Sequence, residues 1–304
     1  MSPIVVAAFY KFVPLQDLEG LQSSLDALCM AEGLRGIILI APEGINGTVA
    51  GTRAGIDALL GHLRSGPAFA DLLPKESACE RMPFHRMKVR LKKEIVTLGV
   101  PEVSPRERVG TYVPPARWND LLADPEVLLV DTRNVYETRL GTFEGAVDPG
   151  IQNFSDFPAW VRQNLDPARH RKVAMFCTGG IRCEKATSFM LQEGFESVFH
   201  LEGGILKYLE EVPKETSRWR GDCFVFDQRV ALDHGLAPGD HTLCFGCQNP
   251  ITPADRQSPL FEAGVCCPYC HAQVSAETRA GRRERARQME LARARGAAHI
   301  GDDA

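Results

Sequence analysis

The chain has 304 residues, of which 44% are hydrophobic and 24% charged, enough to bury full cores in two or three compact units. Apolar runs such as "GIILIA" and "EVLLV" are far too short to span a bilayer, and the start "MSPIVVAAFYKF" lacks a basic stretch and a small-residue cleavage site, so a cytoplasmic protein with no membrane contact is expected. A net charge of −4 neither favours nor excludes nucleic acid, and no stable protein partner can be inferred.

Ile4 to Phe12 reads as a strand and Leu15 to Glu32 as a helix, with Leu18, Leu21, Leu25 and Leu28 on one face and Gly33 ending it. Gly36 to Ala41 and Gly47 to Ala50 are strand-like and joined by "PEGIN", Ala54 to Leu63 is a second amphipathic helix, and "FHRMKVRLKKEIVTLG" reads as a final hairpin. The order β-α-β-β-α-β over residues 1–100 predicts a ferredoxin-like α+β domain, a fold that names no function. Its last segment carries Arg86, Lys88, Arg90, Lys92 and Lys93, and strand alternation puts several of these cations on one face.

The Pro-rich passage "GVPEVSPRERVGTYVPPARW" breaks the periodicity and reads as a linker, with a boundary near residues 100–115. From 115 to 215, "EVLLVDTRN", "VAMFC" and "SVFHLEGG" are short apolar strands between helical stretches, the pattern of a parallel α/β sheet. Cys177 falls at the carboxyl end of one such strand, where these sheets carry their catalytic loops. The residues after it, Thr178 to Arg182, can turn their backbone N–H groups inward beside the start of the next helix. Such a nest holds an anion and favours the thiolate of Cys177, with Arg182 as a cationic wall. The plainer reading is a buried structural cysteine. Cys183 either resolves an oxidised or persulfidated Cys177 or packs as a small residue under the loop.

Residues 220–304 form a Cys-rich module with a basic tail. Cys244-Phe-Gly-Cys247 and Cys267-Pro-Tyr-Cys270 are separated by nineteen residues and fit a zinc ribbon or knuckle whose four thiolates close the shell, making the zinc structural. Cys223, Cys266 and His271 leave the choice of ligands open, and two disulfides are the alternative. Arg282, Arg283, Arg285, Arg287, Arg293 and Arg295 crowd a predicted helix that suits RNA phosphates and bases, or else forms a solvated tail. The chain has no Gly-rich dinucleotide fingerprint and no His/His/carboxylate triad, so no flavin, nicotinamide or iron site is evident.

The middle of the chain resembles the rhodanese family through "VLLVDTRNVYE", "GTFEGAV", the loop Cys177 to Arg182 and "VFHLEGGILKY", in family order over residues 115–215. A related Cys-based phosphatase needs Arg six places after its nucleophile. Here Arg182 is five places on and Cys183 takes the sixth, which favours the smaller, sulfur-sized cradle. In the resembled fold Asp131 braces neighbouring loops and Arg133 pairs with an acid, and Glu137 and Glu144 are expected in similar roles.

With "APEGINGTVAG" and "MKVRLKKEIVTLG" before this domain and the Cys-rich tail after it, nearly the whole chain resembles the bacterial tRNA uridine hydroxylase family. That resemblance implies hydroxylation of the wobble uridine at C5 to give 5-hydroxyuridine, molecular oxygen as co-substrate, the tRNA anticodon loop as partner, and Cys177 at the active-site position. The residues themselves point only to a nested thiolate, which leaves a persulfide-carrying sulfurtransferase and a non-catalytic RNA-binding protein as alternatives. A loop base must be splayed out before any group reaches it, so a neighbouring surface has to grip the phosphates, and Lys88, Arg90 and Lys92 are expected to do so.

Overall fold

The computed structural model describes residues 3–295, and of Arg293 only the backbone; the Arg293 side chain and the end of the expected C-terminal module lie outside this range. The first unit comprises β1 (Ile4–Phe12), α1 (Leu18–Ala31), β2 (Arg35–Ala41), β3 (Gly44–Gly51), α2 (Arg53–Arg64), β4 (Lys75–Cys79) and β5 (Met87–Leu91). Asp17 and Thr52 start the two helices by accepting the N–H groups of Gly20 and Gly55. Both helices then lay Leu25, Ile56, Leu59 and Leu63 against Ala7, Phe9, Ile38, Val49 and Val89 on one face of the sheet. Each fully buried large apolar side chain contributes about 1.5–3 kcal/mol.

The sheet order is β4-β1-β3-β2-β5, the ferredoxin-like arrangement with an added edge strand. Two expectations change here. β2 and β3 are joined by Pro42 and Glu43 alone, because Gly44 begins the next strand at once; a Cβ there would lie 2.0 Å from the Lys11 carbonyl oxygen. The expected final hairpin is instead the single strand β5, parallel to β2, after which Glu94 accepts the N–H groups of Leu98 and Gly99 and turns the chain away. The fourth strand of the ferredoxin order is β4, whose sequence "KESAC" lacks the β-branched and aromatic residues that mark strands.

The Pro-rich passage is packed rather than loose: Val103, with Leu98 just before the passage, is buried in the core of the second unit, and Val100 packs against it. That unit runs through β6 (Thr111–Val113), α3 (Pro115–Leu121), β7 (Val127–Asp131), α4 (Val135–Thr138), β8 (Gly141–Phe143), α5 (Phe157–Asn164), β9 (Lys172–Phe176), α6 (Ile181–Gln192), β10 (Ser197–Leu201) and α7 (Gly204–Glu211). Its sheet, ordered β6-β10-β9-β7, is parallel throughout. Val173 and Met175 pack with Phe157 and Phe189 on one side, and Ala174 and Phe176 pack with Trp118 and Tyr208 on the other. Burial on both faces explains why β9 is an unbroken apolar run from Val173 onward.

β11 (Trp219–Gly221) pairs with β8, which ties the tail to this unit. Two small hairpins follow, β12 (Cys223–Phe224) with β13 (Ala231–Leu232) and β14 (Thr242–Leu243) with β15 (Pro250–Ile251), then α8 (Pro253–Arg256) and the long α9 (Ala276–Ala294). Among the described residues no helix is long and apolar enough to cross a membrane.

Candidate active site and metal cluster

Cys177 directly follows β9 and is fully buried. Gly180, in the left-handed region at φ 103°, turns the loop so that its N–H donates to the Cys177 sulfur at 3.1 Å. The first turn of α7 holds the same loop from behind, with the N–H groups of Ile205 and Leu206 donating to the carbonyls of Cys177 and Thr178 at 3.0 and 3.1 Å. Gly204 permits that approach, since a Cβ there would sit 2.6 Å from the Cys177 carbonyl oxygen. Burial alone would raise the Cys177 thiol. A hydrogen bond from Cys183, the Arg182 charge and the backbone N–H groups of Cys183 and Gly180 outweigh it and hold Cys177 well below the ordinary thiol range. Burial and the neighbouring thiolate push Cys183 the other way, so it stays protonated and donates.

Arg182 is less free than the sequence suggests. Its guanidinium makes two hydrogen bonds to the buried Glu137 carboxylate, at 2.6 and 2.7 Å. Burial would raise Glu137, but Arg182 holds it below its ordinary value. The cationic wall of the nest is therefore half of a buried ion pair, and Glu137 belongs to the site. The expected acid–arginine brace lies beneath: Arg133 Nε and Nη2 donate to Asp131 at 2.9 and 2.6 Å, both groups fully buried. Glu144 pairs with Arg220 at 2.6 Å on the surface.

Sequence reasoning missed the first unit's share of the site. Lys75, the first residue of β4, donates to the Gly179 carbonyl and, at 2.6 Å, to that of Gly203. Tyr10 of β1 donates to Glu184 on α6 at 2.8 Å, and a Cβ on Gly180 would meet the Tyr10 hydroxyl at 2.9 Å. Burial pushes Lys75 down to about 8 and raises the Glu184 carboxyl. Next to Glu184, Lys185 is buried and pairs with Glu43 at 2.9 Å and with Glu94. The one signal in the sequence was alternation, which puts Tyr10 on the β1 face opposite Ala7 and Phe9.

That same face carries the basic strand. Pairing register lines up Lys75, Ala8, Thr48, Ile37 and Lys88 in one row across all five strands, and Tyr10, Asn46, Leu39 and Arg90 in the next. Lys88 and Arg90 therefore point away from α1 and α2, towards the side that meets the Cys177 loop. Lys92 lies just past β5, exposed, its N–H bonded to Ile40.

In the tail, the sulfurs of Cys244, Cys247, Cys267 and Cys270 all lie within 4.8 Å of one another. Individual separations are 3.6 Å for Cys247 to Cys267, 3.8 Å for Cys267 to Cys270 and 3.9 Å for Cys244 to Cys270. Thiolates at 2.3 Å from a tetrahedral ion are about 3.8 Å apart, so the set fits one metal ion. Cys223, Cys266 and His271 stand outside the cluster; Cys223 is buried near Arg133, and the Cys266 sulfur takes a hydrogen bond from Arg279. Part of the arginine run is also spent internally. Arg282 donates to the carbonyls of Val265 and Gly246, Arg283 pairs with Glu262, and Arg285 lies over the Phe245 ring.

Residues 4–95 match the UPF0176 acylphosphatase like domain, and residues 115–211 match the rhodanese-like domain. The chain is 55% identical over 297 residues to a protein of Agrobacterium fabrum named tRNA uridine(34) hydroxylase, covering 98% of this chain and 95% of that one. It is likewise 55% identical to the protein of that name from Rhizobium leguminosarum bv. trifolii, over 99% of this chain and 97% of the relative. Among solved structures, the rhodanese-like domain of an Anabaena sp. protein matches at 18% identity and a TM-score of 0.31, over 36% of this chain and 78% of that one.

Proposed function

The chain belongs to the tRNA uridine(34) hydroxylase family, and from that premise we propose that Cys177 is the reacting centre for oxygen insertion at C5 of uridine 34 of tRNA. The observation that carries this reading is the enclosed sulfur accepting the Gly180 N–H beside Arg182, a setting that keeps a thiolate at neutral pH. A thiolate can add to an electron-poor carbon of the uracil ring and leave again, making C5 electron-rich in between. Molecular oxygen is the co-substrate: one atom enters the ring and the other leaves as water, which takes two electrons and two protons. Cys177 and Cys183 together hold that number, released as they close a disulfide, so Cys183 is the resolving thiol that an external reductant restores.

Lys88, Arg90 and Lys92 grip the anticodon-loop phosphates on the sheet face that leads to the loop, and Cys244, Cys247, Cys267 and Cys270 hold one structural zinc ion. Zinc supplies a cross-link that orders the small tail module, and a closed four-thiolate shell leaves no position for catalysis.

Cys177→Ser is the test, read by mass spectrometry of nucleosides from tRNA treated with the purified protein. Loss of 5-hydroxyuridine with tRNA binding retained is expected. Substantial remaining product would remove Cys177 from the chemistry, and loss of a thiolated nucleoside in a deletion strain would favour sulfur transfer. In wild type, one turnover without reductant should lower the protein mass by two hydrogens.

A further inference from the structure

Phe226 is the most exposed of the described phenylalanines, at 58%. It is no isolated surface residue. Its ring centroid lies 5.9 Å from the Arg182 guanidinium carbon. Its ring also meets that of Phe224 edge-on at 5.1 Å, and Phe224 meets Tyr136 edge-on at 5.3 Å. Phe224 is buried, and its carbonyl lies 3.4 Å from the Thr178 hydroxyl of the Cys177 loop. Phe226 is thus the outer, uncovered end of an aromatic row that rises from the active loop.

The turn that presents it is held from both sides. Arg229 grips Asp227 through two hydrogen bonds, at 2.9 and 2.6 Å, and reaches Ser77 of β4 at 2.7 Å. The Gln228 N–H donates to the Pro83 carbonyl at 3.0 Å. Val230 closes the turn at φ 64°, a conformation that β-branched residues rarely adopt and that persists only where the surroundings enforce it. An apolar ring displayed by so constrained a turn, beside the Arg182–Glu137 pair, has the form of a stacking platform. A pyrimidine drawn out of an anticodon loop loses its neighbours in the stack and gains from a replacement π-face.

Resting on the reading of Cys177 as the centre that meets uridine 34, we propose that Phe226 is the surface on which the extruded uracil stacks as it enters the loop. It is a positioning residue: it holds the ring and takes no part in bond making. Aromatic replacements should work and a large aliphatic one should not, because the π-face and not the apolar surface is used.

The full-length protein with Phe226→Ala, Phe226→Leu and Phe226→Trp tests this, with far-UV thiolate absorbance of Cys177 as the check on loop integrity. Alanine and leucine should both lower 5-hydroxyuridine formation at subsaturating tRNA by roughly five- to 150-fold, the range base–aromatic stacking supplies. Phe226→Trp should keep activity, and its added fluorescence should be quenched by tRNA carrying uridine 34 more than by the same tRNA abasic at that position. Wild-type rates in Phe226→Leu, or equal quenching by both tRNAs, would overturn the proposal. The quenching difference is also measured in Phe226→Trp combined with Cys177→Ser. If that protein still makes product, the Cys177 reading fails while the stacking result stands by itself.

Discussion

At the scale of single residues, the site is governed by one ion pair and two unequal thiols. Glu137 and Arg182 are buried together, so removing either leaves the other charge uncompensated. Glu137→Gln or Arg182→Ala should each destabilise the protein by about 3–5 kcal/mol in denaturant unfolding, and Glu137→Leu with Arg182→Met should cost less than either single change. Because the Glu137 carboxyl is depressed in the folded protein, its contribution is present above the unfolded carboxyl value and lost as pH falls through the folded one. Acid unfolding of Glu137→Gln should accordingly depend less steeply on pH than that of wild type. The Cys177 thiol is also depressed, so the difference in thiolate absorbance between wild type and Cys177→Ser should persist well below the ordinary thiol value of about 8.5. A midpoint at or above that value would mean that burial prevails over the loop's donors.

At the scale of elements, the site depends on what alternation and turns bring to one face. β1 and the Cys177 turn could be read directly, since an apolar run, two glycines and a helix start are local signals. The two C-x-x-C pairs were legible for the same reason, their spacing being chemistry in itself. β4 was not, because a polar five-residue strand takes its place only from its partners in β1, and so Lys75 stayed hidden. Phe226 escaped for a related reason: an exposed aromatic in a turn means nothing until the neighbouring Arg182 is known. The basic strand β5 carries its own prediction. Neutralising Lys88, Arg90 and Lys92 together should weaken tRNA binding and reduce the slope of log affinity against log salt by about 2–3, leaving Cys177 thiolate absorbance unchanged. An unaltered salt series would make that edge a solvated face. The arginines of α9 are weaker candidates, since Arg282 and Arg283 already serve to fasten the helix.

At the scale of the whole molecule, three units meet around the Cys177 loop. The first unit contributes Lys75 and Tyr10, the second the loop, and the tail the turn that carries Phe226. The buried Lys185, gripping Glu43 and Glu94, fastens the first two together. The four-cysteine cluster lies in a separate small core. Elemental analysis of anaerobically purified protein should give one zinc per chain, and chelation should unfold that core while the Cys177 thiolate signal survives; a metal-free protein with a folded tail would rule the ion out. One consequence belongs to the row running from Lys75 through Ala8, Thr48 and Ile37 to Lys88. Paired strands neither stretch nor slip, and four spacings of about 4.8 Å set the two edges of the sheet roughly 19 Å apart. One edge is fastened to the Cys177 loop through Lys75, and if the other grips phosphate as proposed, the sheet is a ruler: which nucleotide of the loop reaches the sulfur is then decided by counting from the far edge, before any base is read.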